Sequence, residues 1–585
     1  MTGAPALLGV TSSITGLRWA GLSAEVDRAA RALSQTTSLP DLIARVLAAR
    51  GVKEAEVESF LAPKLRDLLP NPSQLRDMDV AAGALVEALL NRSDIAIFAD
   101  YDVDGGASAA LLQDWLRQQG HSATLYIPDR IDEGYGPNVP AMEMLAGSHA
   151  LIICVDCGTL SHEPIAAATA LGAQVIVLDH HQGAETLPGA SAVVNPNRQD
   201  ETGTLGHLCA AAVVFLTLVA ANALLRKRGH TPPDLLQMLD LVALATVADV
   251  APLLGVNRAF VRQGLAVMAN RARPGLVALA DVAKLNSAPT AYHLGFMLGP
   301  RVNAGGRIGA ADLGARLLST DDATEAQLMA SRLETLNAER RAIEAAVLEE
   351  AKAQAEARGL DGPLVWAAAQ GWHPGVVGIV AARLKEWAGR PAVVIGIEGG
   401  VGKGSARSVA GVDLGAAIAR LSGEGLLIRG GGHKMAAGLT VGADHLPSAM
   451  ARLGELLAKQ GAGETSASEL RVDAVLRAGG ATLETVELLE QAGPFGAGNP
   501  APRVVIASAN VASTRRVGEN HLQATLSDET GRLDAIAFRA MDGPLGPGLE
   551  ALQGKPAHVA GRLEIDDWGG RRKVKLRIED AAATD

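Results

Sequence analysis

The stretch IFADYDVDGGAS, residues 97–108, sets three aspartates at alternate positions directly after an apolar run. D-x-D-x-D-G is also how an EF-hand calcium loop begins, but that loop follows a helix and needs a glutamate at its twelfth position. With Asp100 at position 1, position 12 is Leu111, and the preceding DIAIFA is typical of a strand. The sequence therefore excludes an EF-hand and predicts three carboxylates where a strand ends.

The same pattern recurs along the chain. The apolar runs in ALIICVDCG and AQVIVLDHH also end in acidic residues, and helical stretches separate them. This alternation is typical of a parallel sheet with helices on its faces, whose strands open at their carboxyl ends onto one crevice. The side chains expected to converge there are Asp100, Asp102, Asp104, Asp156, Asp179, His180 and His181.

So many like charges cannot ionise together at low cost unless cations neutralise them. Mixed carboxylate and imidazole ligands suit Mn²⁺ or Mg²⁺ better than structural zinc. The ligands suffice for two ions, and two ions about 3.5–4 Å apart are suited to in-line attack on phosphate. Asp249, in LDLVALATVADVAPL, is a further candidate ligand, whereas the nearby Asp240 is expected to be a surface or capping residue. A lone aspartate after a strand is usually a turn or cap residue, so the ordered set carries the prediction.

The remaining pattern predicts several domains in this chain of 585 residues. Apolar residues at helical spacing predict one long helix from Thr320 or Asp321 towards Gly359, about 50–60 Å in length. A second α/β region follows, then a Gly/Ser/Thr linker at 460–469, then short alternating strands that predict a small β-barrel. The predicted fold class is α/β multidomain: a parallel-sheet domain, a long connecting helix, a smaller α/β domain and a C-terminal β-barrel.

Charge and compartment limit the functions. With a net charge of −11, the chain needs a local basic surface to bind nucleic acid. Residues 208–225 approach the length of a membrane span, but they are rich in alanine and include Thr217 and Asn222, so a buried helix is expected. The first residues lack the basic region of a signal peptide, and three cysteines argue against a disulfide framework. We expect a cytoplasmic protein that does not associate with membranes.

The motifs resemble a known superfamily. DYDVDG, VDCG, DHH and TVADVAPL are similar to motifs I to IV of the DHH phosphoesterases. Seven further segments resemble the RecJ family of bacterial single-strand-specific DNA exonucleases: IPDRIDEGYG, NPNR, GPRVNAGGRIG, GWHPGVVGIVAARL, GKGSARS, GGGHKMAAG and PFGAGNP. The resemblance runs from about residue 76 to the end, and the ordered series is specific although DHH alone is not.

The resemblance implies a metal-dependent 5′→3′ exonuclease that uses two Mn²⁺ or Mg²⁺ ions. It would release nucleoside 5′-monophosphates from single-stranded DNA in recombinational and mismatch repair. The implied domains are an N-terminal extension and helical segment (1–75), a DHH catalytic domain (76–319), a connecting helix (320–359), a DHHA1 domain (360–460) and an OB-fold nucleic-acid-binding domain (466–585). Partners implied by analogy are a single-strand-binding protein and a RecQ-type helicase.

The same resemblance assigns residues. The implied metal ligands are Asp100, Asp102, Asp104, Asp156, His180 and Asp249. Asp102, Asp104 and His181 are the implied catalytic residues, with His181 beside the scissile phosphate and Asp179 orienting a histidine. Whether all three aspartates of motif I bind metal, or only Asp102 and Asp104, stays open.

On the substrate side, glycine-containing loops at 402–408 and 428–434 let backbone N–H groups approach an anion. The implied substrate-binding residues are Ser405, Arg407 and Arg130 for the 5′-terminal phosphate, His433 and Arg301 near other phosphates, and Tyr135 stacking on a base. In the barrel, basic residues alternate along one strand and would share a face that is either solvated or tracks DNA: Arg571, Lys573, Lys575 and Arg577.

Two other functions remain open at this point. A DHH-family phosphodiesterase for short oligonucleotides or cyclic dinucleotides would share the metal site but would have no use for the barrel. An inactive DHH-like DNA-replication scaffold would be expected to have lost metal ligands, and none of the implied ligands is missing.

Overall fold

The computed structural model describes residues 6–129, 133–463, 469–566 and 572–584. Arg130 and Arg571 therefore lie outside the described residues. The chain separates into two compact units. One unit contains the described residues of 71–249 and 264–465, and the other contains those of 1–70, 250–263 and 466–585.

The N-terminal segment is mainly helical. Its elements are β1 (Arg18–Ala20), α1 (Ala24–Thr37), α2 (Asp41–Ala49), α3 (Val57–Leu61) and α4 (Leu65–Leu68). The hydroxyl of Ser23 accepts a hydrogen bond from the backbone N–H of Val26 and so caps α1. Ile43 and Leu47 of α2 share a core with Leu489, so this segment belongs to the same unit as the C-terminal part of the chain.

The first α/β domain has a five-stranded parallel sheet in the order β3-β2-β4-β5-β6. The strands are β2 (Ile95–Ala99), β3 (Thr124–Tyr126), β4 (Leu151–Val155), β5 (Gln174–Leu178) and β6 (Ala192–Val194). The helices are α5 (Met78–Leu90), α6 (Val103–Gln118), α7 (Val139–Ala146), α8 (His162–Ala170), α9 (Ala210–Lys227), α10 (Leu239–Ala248), α12 (Pro274–Val282), α13 (Gly299–Ile308) and α14 (Leu313–Ser319). Helix α11 (Val256–Ala269) has residues in both units.

Helices cover this sheet, because β2 and β4 are buried along their whole length and need apolar cover on both faces. Phe98 and Cys154 pack with Met142 of α7 and Ile165 of α8 on one face. Among the described residues, α9 is the one helix long and apolar enough to cross a membrane. Two thirds of it is buried inside the protein, so it is a core helix, as expected.

Helix α15 (Ala323–Arg358) is the predicted long helix, and at 1.5 Å per residue it is about 54 Å long. It begins after Asp322, whose Oδ1 accepts hydrogen bonds from the N–H groups of Thr324 and Glu325. Of the predicted apolar stripe, Ile343 is half-buried and the other members are buried: Met329, Leu333, Leu336 and Val347.

The second α/β domain contains a mixed sheet in the order β10-β11-β9-β8-β7. Its strands are β7 (Val365–Gln370), β8 (Ala392–Glu398), β9 (Val401–Arg407), β10 (Arg429–Gly432) and β11 (Ala436–Gly442). Its helices are α16 (Pro374–Ala388), α17 (Leu414–Gly423) and α18 (Leu446–Ala458). Helix α16 packs with α15 on one face of the sheet, while α17 and α18 pack on the other.

The C-terminal part forms the predicted barrel. Its elements are β12 (Glu469–Arg471), β13 (Ala474–Leu476), α19 (Leu483–Glu490), β14 (Val504–Val517), β15 (His521–Asp528), β16 (Gly531–Ala537), α20 (Leu545–Ala551), β17 (Pro556–Asp566) and β18 (Lys573–Ala583). Strand β14 pairs with both β15 and β17, which closes the order β14-β15-β16-β18-β17 into a five-stranded barrel. Strand β1 pairs in parallel with β12 beside it.

Candidate active site

The motif I aspartates lie where β2 passes into α6. Asp102 is the residue before the helix, and its Oδ1 accepts hydrogen bonds from the N–H groups of Asp104 at 2.9 Å and Gly105 at 3.2 Å. A side chain at position 105 would overlap the backbone of Asp100. The glycine therefore allows α6 to start directly against the end of β2, which keeps the three carboxylates close together.

Asp104 is buried and is held by a second helix. Its Oδ2 accepts the N–H of Ala210 at 2.7 Å and its Oδ1 accepts the N–H of Ala211 at 2.8 Å. These two groups form the first turn of α9, where unpaired N–H groups and the helix dipole favour an anion. Its carboxylate is thereby fixed with Oδ2 3.7 Å from Nε2 of His180.

Asp156 follows β4 in a left-handed backbone conformation, with φ of 58°. This conformation costs a non-glycine residue about 1–3 kcal/mol and is often found at functional sites. Its Oδ1 is buried, accepts no hydrogen bond from the described residues, and lies 3.3 Å from Nε2 of His180. An oxygen held in this way has its lone pairs available for a cation.

Asp179, at the end of β5, organises the two histidines. Its Oδ1 accepts Nδ1–H of His181 at 2.7 Å and the backbone N–H of His180 at 2.7 Å, while its Oδ2 accepts the N–H of Thr159. The NPN segment supports the same turn, because Asn195 donates to the carbonyl of His181 and Asn197 donates to that of His180. The position and the ring orientation of His181 are therefore fixed from both sides.

Among the described residues, three groups of side chains each bring their own ligand atoms within 4.8 Å of one another. The groups are Asp100 with Asp102 and Asp156, Asp104 with His180 and Asp249, and Asp156 with His180 and His181. Asp249 ends α10, and its Oδ2 lies 3.8 Å from Nδ1 of His180. Carboxylate oxygens, imidazole nitrogens and the available Oδ1 of Asp156 form a donor set that fits Mn²⁺ or Mg²⁺.

Burial and mutual repulsion govern the protonation of this cluster. Burial raises the pKa of Asp104 and raises that of Asp156 well above its usual range, with neighbouring carboxylates adding to the effect on both. Burial, together with the charges of Asp104 and Asp102, raises the pKa of Asp249 to about 8. Cations would relieve this repulsion, so the charge pattern agrees with the donor set.

In the pair formed by His181 and Asp179, the pKa shifts favour the charged form of both side chains. Burial acts to lower the pKa of His181, but the hydrogen bond to Asp179 and the surrounding carboxylates raise it to about 9. Burial likewise acts to raise the pKa of Asp179, but the same hydrogen bond holds it well below its usual range. In the protein without bound metal ions, this pKa favours the cationic form of His181 at neutral pH, with Nδ1 committed to Asp179.

Tyr135 joins the acidic cluster to a cleft in the second α/β domain. Its hydroxyl donates to the carbonyl oxygen of Asp156 at 3.1 Å and lies 3.2 Å from Nε2 of His181. The same residue lines a cleft of about 630 Å³. The other main lining residues are Gly375 and Gly378 of α16, Lys403, Ser405 and Arg407 of β9, and Gly432 of β10.

The cleft can receive an anion. Lys403, Ser405 and Arg407 alternate along β9 and share one face, and Nη1 of Arg407 donates to Oγ of Ser405 at 2.8 Å. A methyl group added to Gly378 would lie 3.2 Å from that Oγ, so the start of α16 packs directly on this face. Two cations, a hydroxyl and the first turn of a helix thus surround the space, a combination that suits phosphate.

Comparison with known proteins supports the same interpretation of the chain. Family models match residues 94–246 (DHH family, N-terminal domain), 361–459 (DHHA1 domain) and 472–580 (RecJ OB domain). The single-stranded-DNA-specific exonuclease RecJ of Dickeya dadantii is 38% identical over 93% of this chain and 96% of its own. That of Bacillus subtilis is 34% identical over 97% of this chain and 71% of its own. The chain belongs to the RecJ family.

A solved structure extends this result. The crystal structure of RecJ in complex with Mn²⁺ from Thermus thermophilus matches with a TM-score of 0.81 and 31% identity, over 96% of this chain and 79% of that chain. The corresponding Mg²⁺ complex matches with a TM-score of 0.73 and 29% identity, over 97% of this chain and 78% of that chain. Both crystallised ions are among those that the donor set fits.

Three further residues that the sequence singles out have the following surroundings in the structure. Arg301 is largely buried, with its guanidinium bound to Glu334 and to the carbonyl of Met297. The imidazole of His433 is exposed in the turn between β10 and β11, where its backbone packs against Gly415. The prediction that Asp240 is a surface or capping residue is wrong, because it is buried and paired with the guanidinium of Arg273.

The basic stripe of the barrel is partly neutralised. Lys575 pairs with Asp566, and Arg577 lies 3.5 Å from Glu564, both carboxylates being on the adjacent strand β17. Arg577 also lies over the ring of the exposed Phe538, at 5.4 Å from its centroid. The barrel therefore presents an aromatic and cationic surface rather than a row of unpaired charges.

Sequence reasoning missed two site residues. Lys403 lines the cleft, and its alternation with Ser405 and Arg407 on one strand would have found it. Asn303 accepts the N–H of Val103 at 3.0 Å and so supports the start of α6. No sequence signal links Asn303 to motif I, because the side chain lies 200 positions from its partner.

Proposed function

We propose that this chain removes nucleoside 5′-monophosphates from the 5′ end of single-stranded DNA, using two Mn²⁺ or Mg²⁺ ions. The observation that carries the proposal is the acidic and imidazole cluster that adjoins a basic cleft through Tyr135. The first site suits phosphodiester hydrolysis, and the second suits a terminal phosphate. In the cell we propose a cytoplasmic role in recombinational and mismatch repair, which rests on the family.

Two ions are supported by the layout of the ligands. Asp100, Asp102 and Asp156 form one group and Asp104, His180 and Asp249 form another, with Asp156 next to His180. We assign these six residues as the metal ligands, with Asp156 between the two groups. When bound, such ions activate water and stabilise the charge that develops on phosphate.

The protein's own groups do the positioning. His181 is held by Asp179 through Nδ1, which leaves Nε2 on the side of the Tyr135 hydroxyl, 3.2 Å away, where it can donate a hydrogen bond to a phosphate oxygen. The hydroxyl of Tyr135 contacts both Nε2 of His181 and the backbone carbonyl of Asp156, so it holds these two groups at a fixed separation. His181 would thus stabilise charge on the scissile phosphate, which makes it a catalytic residue in this proposal.

The 5′→3′ direction is supported by the cleft. A terminal phosphate carries up to two negative charges, whereas an internal phosphodiester carries one. Lys403 and Arg407 favour the more highly charged group, and the cleft adjoins the acidic cluster at Tyr135. A strand whose 5′ phosphate lies in this cleft would present its first phosphodiester to His181. Arg130 is proposed to bind the same phosphate on the basis of the family alone.

Each domain has its own role in the proposed function. We propose that 76–319 holds the metal ions, 360–460 binds the 5′ phosphate, 320–359 connects them, and 466–585 guides the strand, with 1–75 as its support. Phe538, His521 and Arg577 lie on one barrel surface, where a base could stack. A single-strand-binding protein and a RecQ-type helicase are proposed partners by family analogy.

The test uses strands that carry a label at one end. Wild-type protein with Mn²⁺ should shorten a 5′-phosphorylated strand from the 5′ end and release mononucleotides. Asp156→Asn should be inactive, while Asp361→Asn, at an exposed aspartate between α15 and β7, should behave as wild type. Loss of label from the 3′ end only would contradict the direction. Cleavage of cyclic dinucleotides or very short oligonucleotides alone would favour the phosphodiesterase alternative, and inactivity with both ions would favour the scaffold.

A further inference from the structure

Two aromatic side chains form an exposed stack on the catalytic domain. Tyr292 is 55% exposed and Phe296 is 72% exposed, yet their rings lie parallel to within 27° with centroids 5.1 Å apart. The chain contains only four tyrosines and seven phenylalanines. Single exposed apolar residues are common on proteins, but two ordered rings stacked in solvent form a flat apolar surface.

The stack lies on a segment that contacts residues next to the proposed metal ligands. Tyr292 and Phe296 belong to the wide helical turn that leads into α13. A methyl group added at Gly299 would lie 3.2 Å from Cβ of Ala248 and 3.9 Å from Cγ2 of Val103. Ala248 precedes the proposed ligand Asp249, and Val103 lies between Asp102 and Asp104. The backbone that carries the rings is therefore braced against residues adjacent to the ligands.

The separation between the rings and the proposed metal ligands limits which part of a bound strand the rings could contact. Phe296 is three residues from Gly299, about 4.5 Å along a helix axis, and Gly299 contacts Ala248 and Val103 beside the proposed ligands. With the reach of the phenylalanine side chain added, the separation from those ligands is on the order of a few nucleotides, at about 3.4 Å per stacked nucleotide. The rings differ from Tyr135, which lies at the acidic cluster itself and lines the phosphate cleft.

We infer that Tyr292 and Phe296 form a stacking platform for the bases of single-stranded DNA, a few nucleotides beyond the scissile phosphate. The inference rests on the proposed function, because it takes the strand to be the substrate. Aromatic rings bind any base through its π-face, so the platform would act without sequence preference. Paired bases already stacked in a duplex would gain nothing from it, so the platform also favours single strands.

An abasic scan tests this directly. Binding of 5′-phosphorylated oligothymidylate is measured by fluorescence anisotropy in EDTA, with one abasic nucleotide placed at each of the first six positions in turn. For the wild type, the abasic nucleotide should weaken binding about 5-fold or more at one or two positions beyond the first nucleotide. For Tyr292→Ala and Phe296→Ala, intact strands should bind correspondingly more weakly, and the positional effect should vanish.

Three controls identify the cause. Phe296→Trp should restore the positional effect, whereas Phe296→Leu, which keeps an apolar side chain without a ring, should not. Leu171→Ala removes another exposed apolar side chain, 57% exposed at the end of α8, and should leave binding unchanged. An abasic profile that is the same in the wild type and in all variants would overturn the inference. Unchanged binding of intact strands by both alanine variants would also overturn it.

Hydrolysis separates this inference from the proposed function. The dinucleotide pdTpdT is too short to reach the platform, so both alanine variants should hydrolyse it at the wild-type rate while degrading long strands more slowly. If the wild type cleaves neither pdTpdT nor long strands, the proposed function fails. If it cleaves both and the variants match it on both, only the platform fails.

Discussion

The Nδ1 atom of His181 lies 2.7 Å from Oδ1 of Asp179, and this pair sets the charge of the imidazole. The carboxylate also accepts the backbone N–H groups of His180 and His181, so the ring and its turn are held by one side chain. The pKa of His181 is about 9 as a result, against the lowering that burial alone would cause. The imidazole can thus serve as a fixed cation beside phosphate.

Asp179→Asn should therefore lower activity without removing any proposed metal ligand. The amide cannot balance the imidazolium, so the pKa of His181 falls towards or below its usual value near 6.5. Losses of about 10–100-fold are typical when such an orienting partner is replaced. The measurement is kcat on a single strand as a function of pH, together with the pKa of His181 by NMR. A variant with an unchanged rate and an unchanged imidazole pKa would contradict this role.

Gly105→Ala should destabilise the catalytic domain. The added methyl group would overlap the backbone carbonyl of Asp100, which cannot move without shifting β2 or α6. A cost of about 2–4 kcal/mol is expected, since overpacking here displaces backbone rather than a flexible side chain. Gly83→Ala, in the interior of α5 with open space around it, is the matched control and should be neutral or stabilising by up to about 1 kcal/mol. Urea denaturation of both variants measures the difference, and equal effects would contradict the argument.

The architecture and the convergence of the site could be predicted because parallel strands open at one edge. Asp100, Asp156 and His180 each follow a strand of the same sheet, so their proximity follows from the pattern. The clamp on Asp104 could not be predicted, because α9 begins about a hundred positions later and its cap, Cys209, offers no side-chain cap signal. The left-handed backbone of Asp156 likewise has no signature in a non-glycine residue.

The ion-pair partners of the basic residues could not be predicted from the sequence. Arg301, for which contact with phosphate stays a prediction, binds Glu334 on the long helix, 33 positions away. Lys575 and Arg577 were predicted to share a face, but their partners on β17 depend on the cross-strand register, which a single sequence does not specify. A single sequence therefore does not show which basic residues are neutralised by distant acidic residues. It does show which residues share one face of a strand, as Lys403 does with Ser405 and Arg407.

The metal-free protein should lose stability as pH rises. Burial and the charges of Asp104 and Asp102 raise the pKa of Asp249 from 3.8 to about 8. Between these values the native state binds a proton that the unfolded chain does not, so the free energy of unfolding falls with rising pH. The stabilising contribution is full below about pH 4 and is lost as pH passes through about 8.

Asp249→Asn should reduce the fall in the free energy of unfolding that the metal-free protein shows as pH rises. In EDTA at pH 9 the variant should melt at a higher temperature than the wild type, while at pH 5 the two should be similar. Mn²⁺ should raise the melting temperature of the wild type more than that of the variant, because bound metal replaces the proton. Melting curves at both pH values, with and without Mn²⁺, measure this. Identical pH dependence in the two proteins would contradict the assignment of Asp249 to the cluster.

Arg407→Ala and Lys403→Ala should weaken recognition of the 5′ phosphate. Each variant should raise KM for a 5′-phosphorylated strand by about 5–50-fold, because a charge-assisted contact is lost, and should reduce the difference between 5′-phosphorylated and 5′-hydroxyl strands. The salt dependence of binding should also become shallower by about one ion. Lys459→Ala, at an exposed lysine after α18, is the control and should retain the preference. A preference for the 5′ phosphate that persists in both cleft variants would place the terminal phosphate elsewhere.

Asp580→Ala tests the support that the N-terminal segment gives to the barrel. The indole Nε1 of Trp19 donates to Oδ2 of Asp580 at 2.8 Å, and both side chains are fully buried within one compact unit. Removing the carboxylate leaves a buried N–H without its acceptor, which should cost about 1–3 kcal/mol. Asp542→Ala, at an exposed position of the same domain, should cost little. If denaturant melting shows the two variants equally stable, the N-terminal segment does not contribute to the barrel through this bond. If Asp580→Ala alone is destabilised while pdTpdT is still hydrolysed, the segment supports the barrel and not the metal site.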